Sequence, residues 1–142
     1  MADHVARADI DIDAGRETVW HALTDPETIA GWMMGARVST DWKVGSPITW
    51  KGELDGRPYE DKGEVLAVEE PDRLAMTHYS PLMGAADLPE NYHTIVYELA
   101  GDGGTTTVSL SQDGNDSAEQ AEQFSANWQG MLEGLKASVE SS

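Results

Sequence analysis

Residues 121–139, AEQFSANWQGMLEGLKASV, set Ala121, Phe124, Trp128, Met131, Leu132, Leu135 and Val139 in one stripe at about 100° per residue. Such a stripe marks an amphipathic helix that needs a second layer to bury its apolar flank. Asp116 or Ser117 supplies a cap, and Glu119 or Gln120 can complete a capping box, so the spacing predicts a helix over 117–138. Gly130 and Gly134 fall on its polar side, each costing about 1 kcal/mol relative to Ala, and are read as neutral.

The partner layer is visible upstream. In the first segment Ala6, Ala8, Ile10 and Ile12 alternate with Arg7, Asp9, Asp11 and Asp13, a strand with one wet face. The period then changes: Val19, Ala22 and Leu23 fit a short helix over 15–24. Asp25-Pro26-Glu27 restarts the chain as a second helix running to about Trp32, with Asp25 as cap and Pro26 at the first helical position. Strands are predicted over 37–40, 46–54, 59–69, 73–79, 92–100 and 105–112. Between them lie Val44-Gly45, Asp55-Gly56, Glu70-Pro71-Asp72 and Gly101-Asp102-Gly103-Gly104. Short turns imply an antiparallel meander. The stretch 80–90, with Pro81 and Pro89, is the one long irregular insertion. The reading is one α+β domain over 1–142: six to seven antiparallel strands curved around the long C-terminal helix, with two short helices after the first strand.

Composition narrows the function. The chain has 142 residues and no cysteine, which excludes disulfides, thiolate chemistry and cysteine-bound metal. Its charge, 9 − 26 = −17, repels a phosphate backbone, so no nucleic-acid partner is expected. The plain reading of that charge is solubility; an acidic docking face for a basic partner is the alternative. No apolar run approaches the ~20 residues that span a bilayer, and no basic region followed by an apolar stretch opens the sequence. We expect a cytoplasmic protein with no membrane partner.

The stretch Val19-Trp20-His21-Ala22-Leu23-Thr24-Asp25-Pro26-Glu27, followed by Ile29-Ala30-Gly31-Trp32, resembles the opening signature of the SRPBCC (START-like) superfamily. The similarity is to its group named after activators of the heat-shock protein 90 ATPase. Gly63-Glu64-Val65-Leu66-Ala67-Val68-Glu69-Glu70-Pro71-Asp72-Arg73-Leu74 is similar to that group's strand–turn–strand segment. So are Gly103-Gly104 with Thr106, Val108 and Leu110, and Trp128 with Met131, Leu132, Leu135 and Lys136. The resemblance covers almost the whole chain. It implies a helix-grip fold, like that of the birch-pollen allergens, with a cavity between sheet and long helix. The co-chaperone behind the group's name has a further domain that the resemblance does not cover here.

Five tryptophans and six methionines against a single phenylalanine suit an adaptable apolar cavity. Candidate ligand contacts are Trp32, Met33 and Met34 at the end of the second helix, Trp42 and Trp50 in the next hairpin, and Phe124, Trp128 and Met131 on the long helix. The competing reading, core packing, is favoured for Trp128 and Leu135 by their helical spacing. His78 shares a strand face with Leu74 and Met76, and His93 with Ile95, Tyr97 and Leu99, so both imidazoles face inward. Each is read first as a satisfied buried histidine and second as a ligand contact or acid–base catalyst. Tyr59 and Tyr97 are possible companions, whereas Tyr79 alternates to the opposite face. His4 and His21 are read as surface.

A metal would need His78 and His93 to converge with a carboxylate such as Glu64 or Glu98. No close-spaced His pair supports that, and no metal is expected. No Gly-x-Ser-x-Gly elbow surrounds a serine such as Ser80, and no glycine-rich strand–helix loop calls for a nucleotide, so no cofactor is expected. The first expectation is a binding protein for a small apolar molecule (a lipid, polyketide or aromatic metabolite). The alternatives are an enzyme of the polyketide cyclase, dehydratase or hydrolase kind using a pocket histidine, and an interaction module that stimulates a chaperone ATPase.

Overall fold

The structure, a computed structural model, describes every residue except 1–3, 34, 55, 82–85, 102, 116 and 142. Asp55 of the expected hairpin turn, the candidate cap Asp116 and the middle of the insertion at 80–90 therefore lie outside the described residues. The element order is β1 (His4–Ile12), α1 (Arg16–Thr24), α2 (Pro26–Trp32), β2 (Arg37–Ser39), β3 (Pro47–Leu54), β4 (Arg57–Glu69), β5 (Arg73–His78), a 3₁₀ turn at Pro89–Asn91, β6 (His93–Gly101), β7 (Thr106–Asn115) and α3 (Ala118–Glu140). The seven strands form one antiparallel sheet in the order β1-β7-β6-β5-β4-β3-β2. With α3 held on its concave side, this is the helix-grip α+β fold.

Local chemistry explains the boundaries. Asp25 caps α2: its carboxylate accepts from the Thr28 amide at 3.0 Å and the Thr28 hydroxyl at 2.6 Å. Both bonds favour the ionised form, and the carboxyl is held below its ordinary value, first by the Thr28 side chain. Ser117 caps α3 by accepting from the Gln120 amide at 3.0 Å. In β1, Ala6, Ala8 and Ile12 are buried while Arg7, Asp9 and Asp11 are exposed, as their alternation requires.

The sheet curls because β4 changes partner along its length. It pairs with β3 from Arg57 to Glu64 and with β5 from Val65 to Glu69, with a bulge between Val65 and Ala67. Gly63 sits at the changeover. A Cβ there would stand 1.8 Å from the Thr77 carbonyl oxygen, so only glycine allows the two backbones to approach.

α3 engages the sheet in two ways at once. Its apolar stripe buries Trp128, Leu132, Leu135 and Val139 against the concave face. A second, polar stripe runs beside it and closes the free edge of β1. Ser125 accepts from the Arg7 amide at 2.9 Å, and Gln129 donates to the Asp9 carbonyl at 3.0 Å. Lys136 donates to the Asp11 carbonyl at 2.9 Å, and Glu140 accepts from the Asp13 amide at 2.8 Å. The exposed backbone row of an edge strand is thereby satisfied. Gly134, expected on the polar side, instead faces α2: a Cβ there would lie 3.6 Å from Trp32, in ordinary van der Waals contact. Among the described residues no helix is long and apolar enough to cross a membrane.

Leu132 is fully buried, so Leu132→Ala is expected to lower the unfolding free energy by about 2–5 kcal/mol. Gly130 is exposed with open space around it, and Gly130→Ala is expected to raise stability by about 0.5–1 kcal/mol. Urea denaturation of the two variants reads these opposite signs.

Candidate functional site

Seven strands outspan one helix, and the part of the concave face that α3 does not cover forms a cavity of about 500 Å³. α2 and the chain after it give one wall through Ile29, Trp32, Met33 and Ala36. β2 and β3, with the loop between them, add Val38, Trp42, Ile48 and Trp50, and β5 and β6 form the floor with Leu74, Met76, Ile95 and Tyr97. Phe124, Trp128 and Met131 of α3 close the remaining side. The surface is overwhelmingly apolar and aromatic, of the kind that accepts small organic molecules.

The polar groups are few and placed. Trp128 donates its indole N–H to the Gln112 side-chain oxygen, which satisfies both groups inside the core. At the other end of the cavity His78 Nε2 lies 2.9 Å from Asp61 Oδ2. A carboxylate can only accept, so the imidazole carries its proton on Nε2. Their remaining atoms, His78 Nδ1 and Asp61 Oδ1, are buried and have no hydrogen-bond partner among the described residues. Trp50 stands directly opposite Asp61 across the β3–β4 ladder, and its ring meets His78 edge-on at 5.0 Å. Tyr59 lies across Gly52, where a Cβ would come within 2.7 Å of the phenol oxygen. Burial, and then the negative charge of Asp61, push the Tyr59 pKa above its ordinary value, which keeps the phenol neutral. Glu53 and Ser80 also line this end. Tyr97 is deeply buried, its hydroxyl proton held far above the ordinary range by desolvation, with its ring edge-on to Trp128 at 6.3 Å.

The candidate residues thus divide. Trp32, Met33, Trp42, Trp50, Tyr59, His78, Tyr97, Phe124, Trp128 and Met131 all border the cavity. Met34 lies outside the described residues. His93 is buried but is not part of the lining: its Nδ1 donates to the Asp113 carbonyl at 2.7 Å, and its ring lies 6.1 Å from that of Phe124. His78 and His93 are paired across the β5–β6 ladder with rings 6.5 Å apart. The carboxylates Glu64 and Glu98 are exposed, and among the described residues no three His, Asp or Glu side chains converge as metal ligands do. Trp42 has a backbone φ of 56°, a strained conformation for a bulky residue, and that conformation places its indole at the cavity.

Sequence reasoning missed Asp61, Glu53, Gln112 and Ala36. For Asp61 a signal existed: it follows Tyr59 by two residues in β4, on the face that continues to Val65, so an acidic side chain occupies an inward position.

The comparisons with known proteins agree with this architecture. A solution structure of ChR145 from Cytophaga hutchinsonii is 43% identical, with 99% of this chain and 97% of that one covered, at a TM-score of 0.86. DynU16, a protein of the dynemicin biosynthetic locus, is 25% identical over 98% of this chain, at a TM-score of 0.78. This chain spans about half of DynU16, 48% of its length. The Aha1 dimer from Colwellia psychrerythraea shares the fold at 22% identity and a TM-score of 0.73, with 99% and 97% covered. No curated protein matches the sequence. The sequence profile described as "Activator of Hsp90 ATPase homolog 1-like protein" matches residues 13–140. The chain belongs to that family, within the SRPBCC (START-like) superfamily.

Proposed function

We propose that this protein binds a small, largely apolar molecule in the cavity between α3 and the concave sheet. The observation that carries the proposal is the lining: a space of about 500 Å³ bordered by four tryptophans and three methionines, with polar groups gathered mainly at one end. Trp32, Trp42, Trp50 and Trp128 offer large flat surfaces, and Met33, Met76 and Met131 adapt to irregular shapes. Filling so large an apolar surface with a guest removes it from water, the main driving force for such binding. The likeness to DynU16, from a biosynthetic locus, is in keeping with a small organic ligand.

A second reading, a proton-transfer enzyme of the cyclase or hydrolase kind, takes support from the hydrogen bond between His78 and Asp61. It ranks below binding for a geometric reason. Nε2 is engaged by Asp61, and Nδ1, the nitrogen left to act as a base, is buried. A role as a co-chaperone rests on the family's name and the net charge of −17, which points to no particular site on the surface.

Titration with the neutral fluorescent probe N-phenyl-1-naphthylamine tests the binding reading. Saturable enhancement of probe emission with quenching of tryptophan emission is expected. Ala36→Phe, which extends a ring from the wall into the space, is expected to weaken binding about tenfold or more while far-UV circular dichroism is unchanged. Equal affinity in the two proteins would place the probe elsewhere.

A further inference from the structure

Resting on the binding function proposed above, we infer that the ligand is an organic cation, an amine whose apolar body fills the cavity and whose ammonium group sits against Asp61. The inference comes from the sign of the charge inside. Among the described residues no lysine or arginine borders the cavity, while the half-buried carboxylate of Asp61 and, at the exposed margin, that of Glu53 do. Asp61 receives one hydrogen bond, from His78, and its second oxygen has none among the described residues. The adjacent Lys62 gives no compensation, because it points to the other face of β4 and pairs with Asp87. A carboxylate held in an apolar wall with half its acceptor capacity unmet is poorly stabilised, and a positive charge beside it relieves that cost.

His78 donates its Nε2–H to Asp61, and its buried Nδ1 has no partner among the described residues. Trp50 and Tyr59, whose rings stand beside this carboxylate, add π-faces that attract an ammonium group. The field of the whole chain, net −17, also draws cations toward the mouth. The same charges act against a fatty acid, which would set a second carboxylate beside Asp61.

Three probes with one tail, octylamine, octanol and octanoate, separate head-group charge from apolar binding when they compete for bound N-phenyl-1-naphthylamine. The assay uses the full chain at about pH 8, above the ordinary histidine range, with about 0.15 M salt to screen exposed charges. The expected order is octylamine, octanol, octanoate, with the amine at least about tenfold tighter than the acid. Asp61→Asn should close that gap to within about threefold while octanol still binds. Asp9→Asn, which removes the same charge from the exposed face of β1, should leave the gap intact. Octanoate binding as tightly as octylamine in the unmodified protein overturns the inference without needing any variant. So does a gap that survives Asp61→Asn or closes equally in Asp9→Asn. If octanol displaces the probe without any preference for the amine, apolar binding stands and the charge assignment falls. If the probe does not bind and octanol has no effect on tryptophan emission, both fall.

Discussion

The fold depends on α3 meeting two surfaces at once. Its polar stripe must reach the open backbone edge of β1, and its apolar stripe must lie on the concave face next to it. Ser125, Gln129, Lys136 and Glu140 recur at spacings of four, seven and four residues, so they track the strand edge turn by turn. That requirement fixes the helix near one side of the sheet. It packs on β1 and β7 and against α1 and α2. A helix is about 10 Å wide, whereas seven strands with spacings of about 4.8 Å extend roughly 29 Å. The far strands are left for α2 and the residues after it to roof, and the cavity is the remainder.

The polar end of the cavity follows from the same geometry. β4 runs past the last residue of β5, so from Arg57 to Asp61 its ladder is with β3, and Tyr59 and Asp61 stand just before the bridge from Lys62 to Tyr79. The chain thereby sets acceptors at the margin of an otherwise apolar surface, apart from Trp128 and Gln112, which satisfy each other. The two regions differ in what they leave unmet: at the first, Asp61 Oδ1 and His78 Nδ1 have no partner among the described residues.

Much of this was legible in the residues, and the reasons are specific. The apolar stripe of α3 and the alternation of β1 announce themselves because their periodicity is the burial pattern itself. The second stripe of α3 is not legible in the sequence, since Ser125, Gln129, Lys136 and Glu140 resemble any solvated flank until the strand beside them is known. His78 and His93 alternate inward in the same way, and register sets them face to face. Only one borders the cavity, because the Asp113 carbonyl takes the ring nitrogen of the other. Alternation tells which face a side chain occupies, not what meets it there. Asp61 was lost among 26 acidic residues, where the inward position of one carboxylate carries little contrast. At Gly134 nothing local in the sequence reveals the neighbouring helix.

The pairing of β1 with β7 and α3 also has a consequence for synthesis. His4 aligns with Asn115 and Ile12 with Thr106, so the first strand of this domain finds its ladder partner only after some hundred further residues have been made. Its other edge waits longer, for Glu140 to reach Asp13. The meander from β3 to β6 joins near neighbours and can assemble as it emerges, but β1 stays unpaired until β7 has been made. Contacts between such distant positions slow folding and expose a sticky edge in the interval. The acidic side chains of Asp9 and Asp11 on that strand, and of Asp13 just after it, suit the wait, since repulsion between like charges discourages two nascent chains from zipping together.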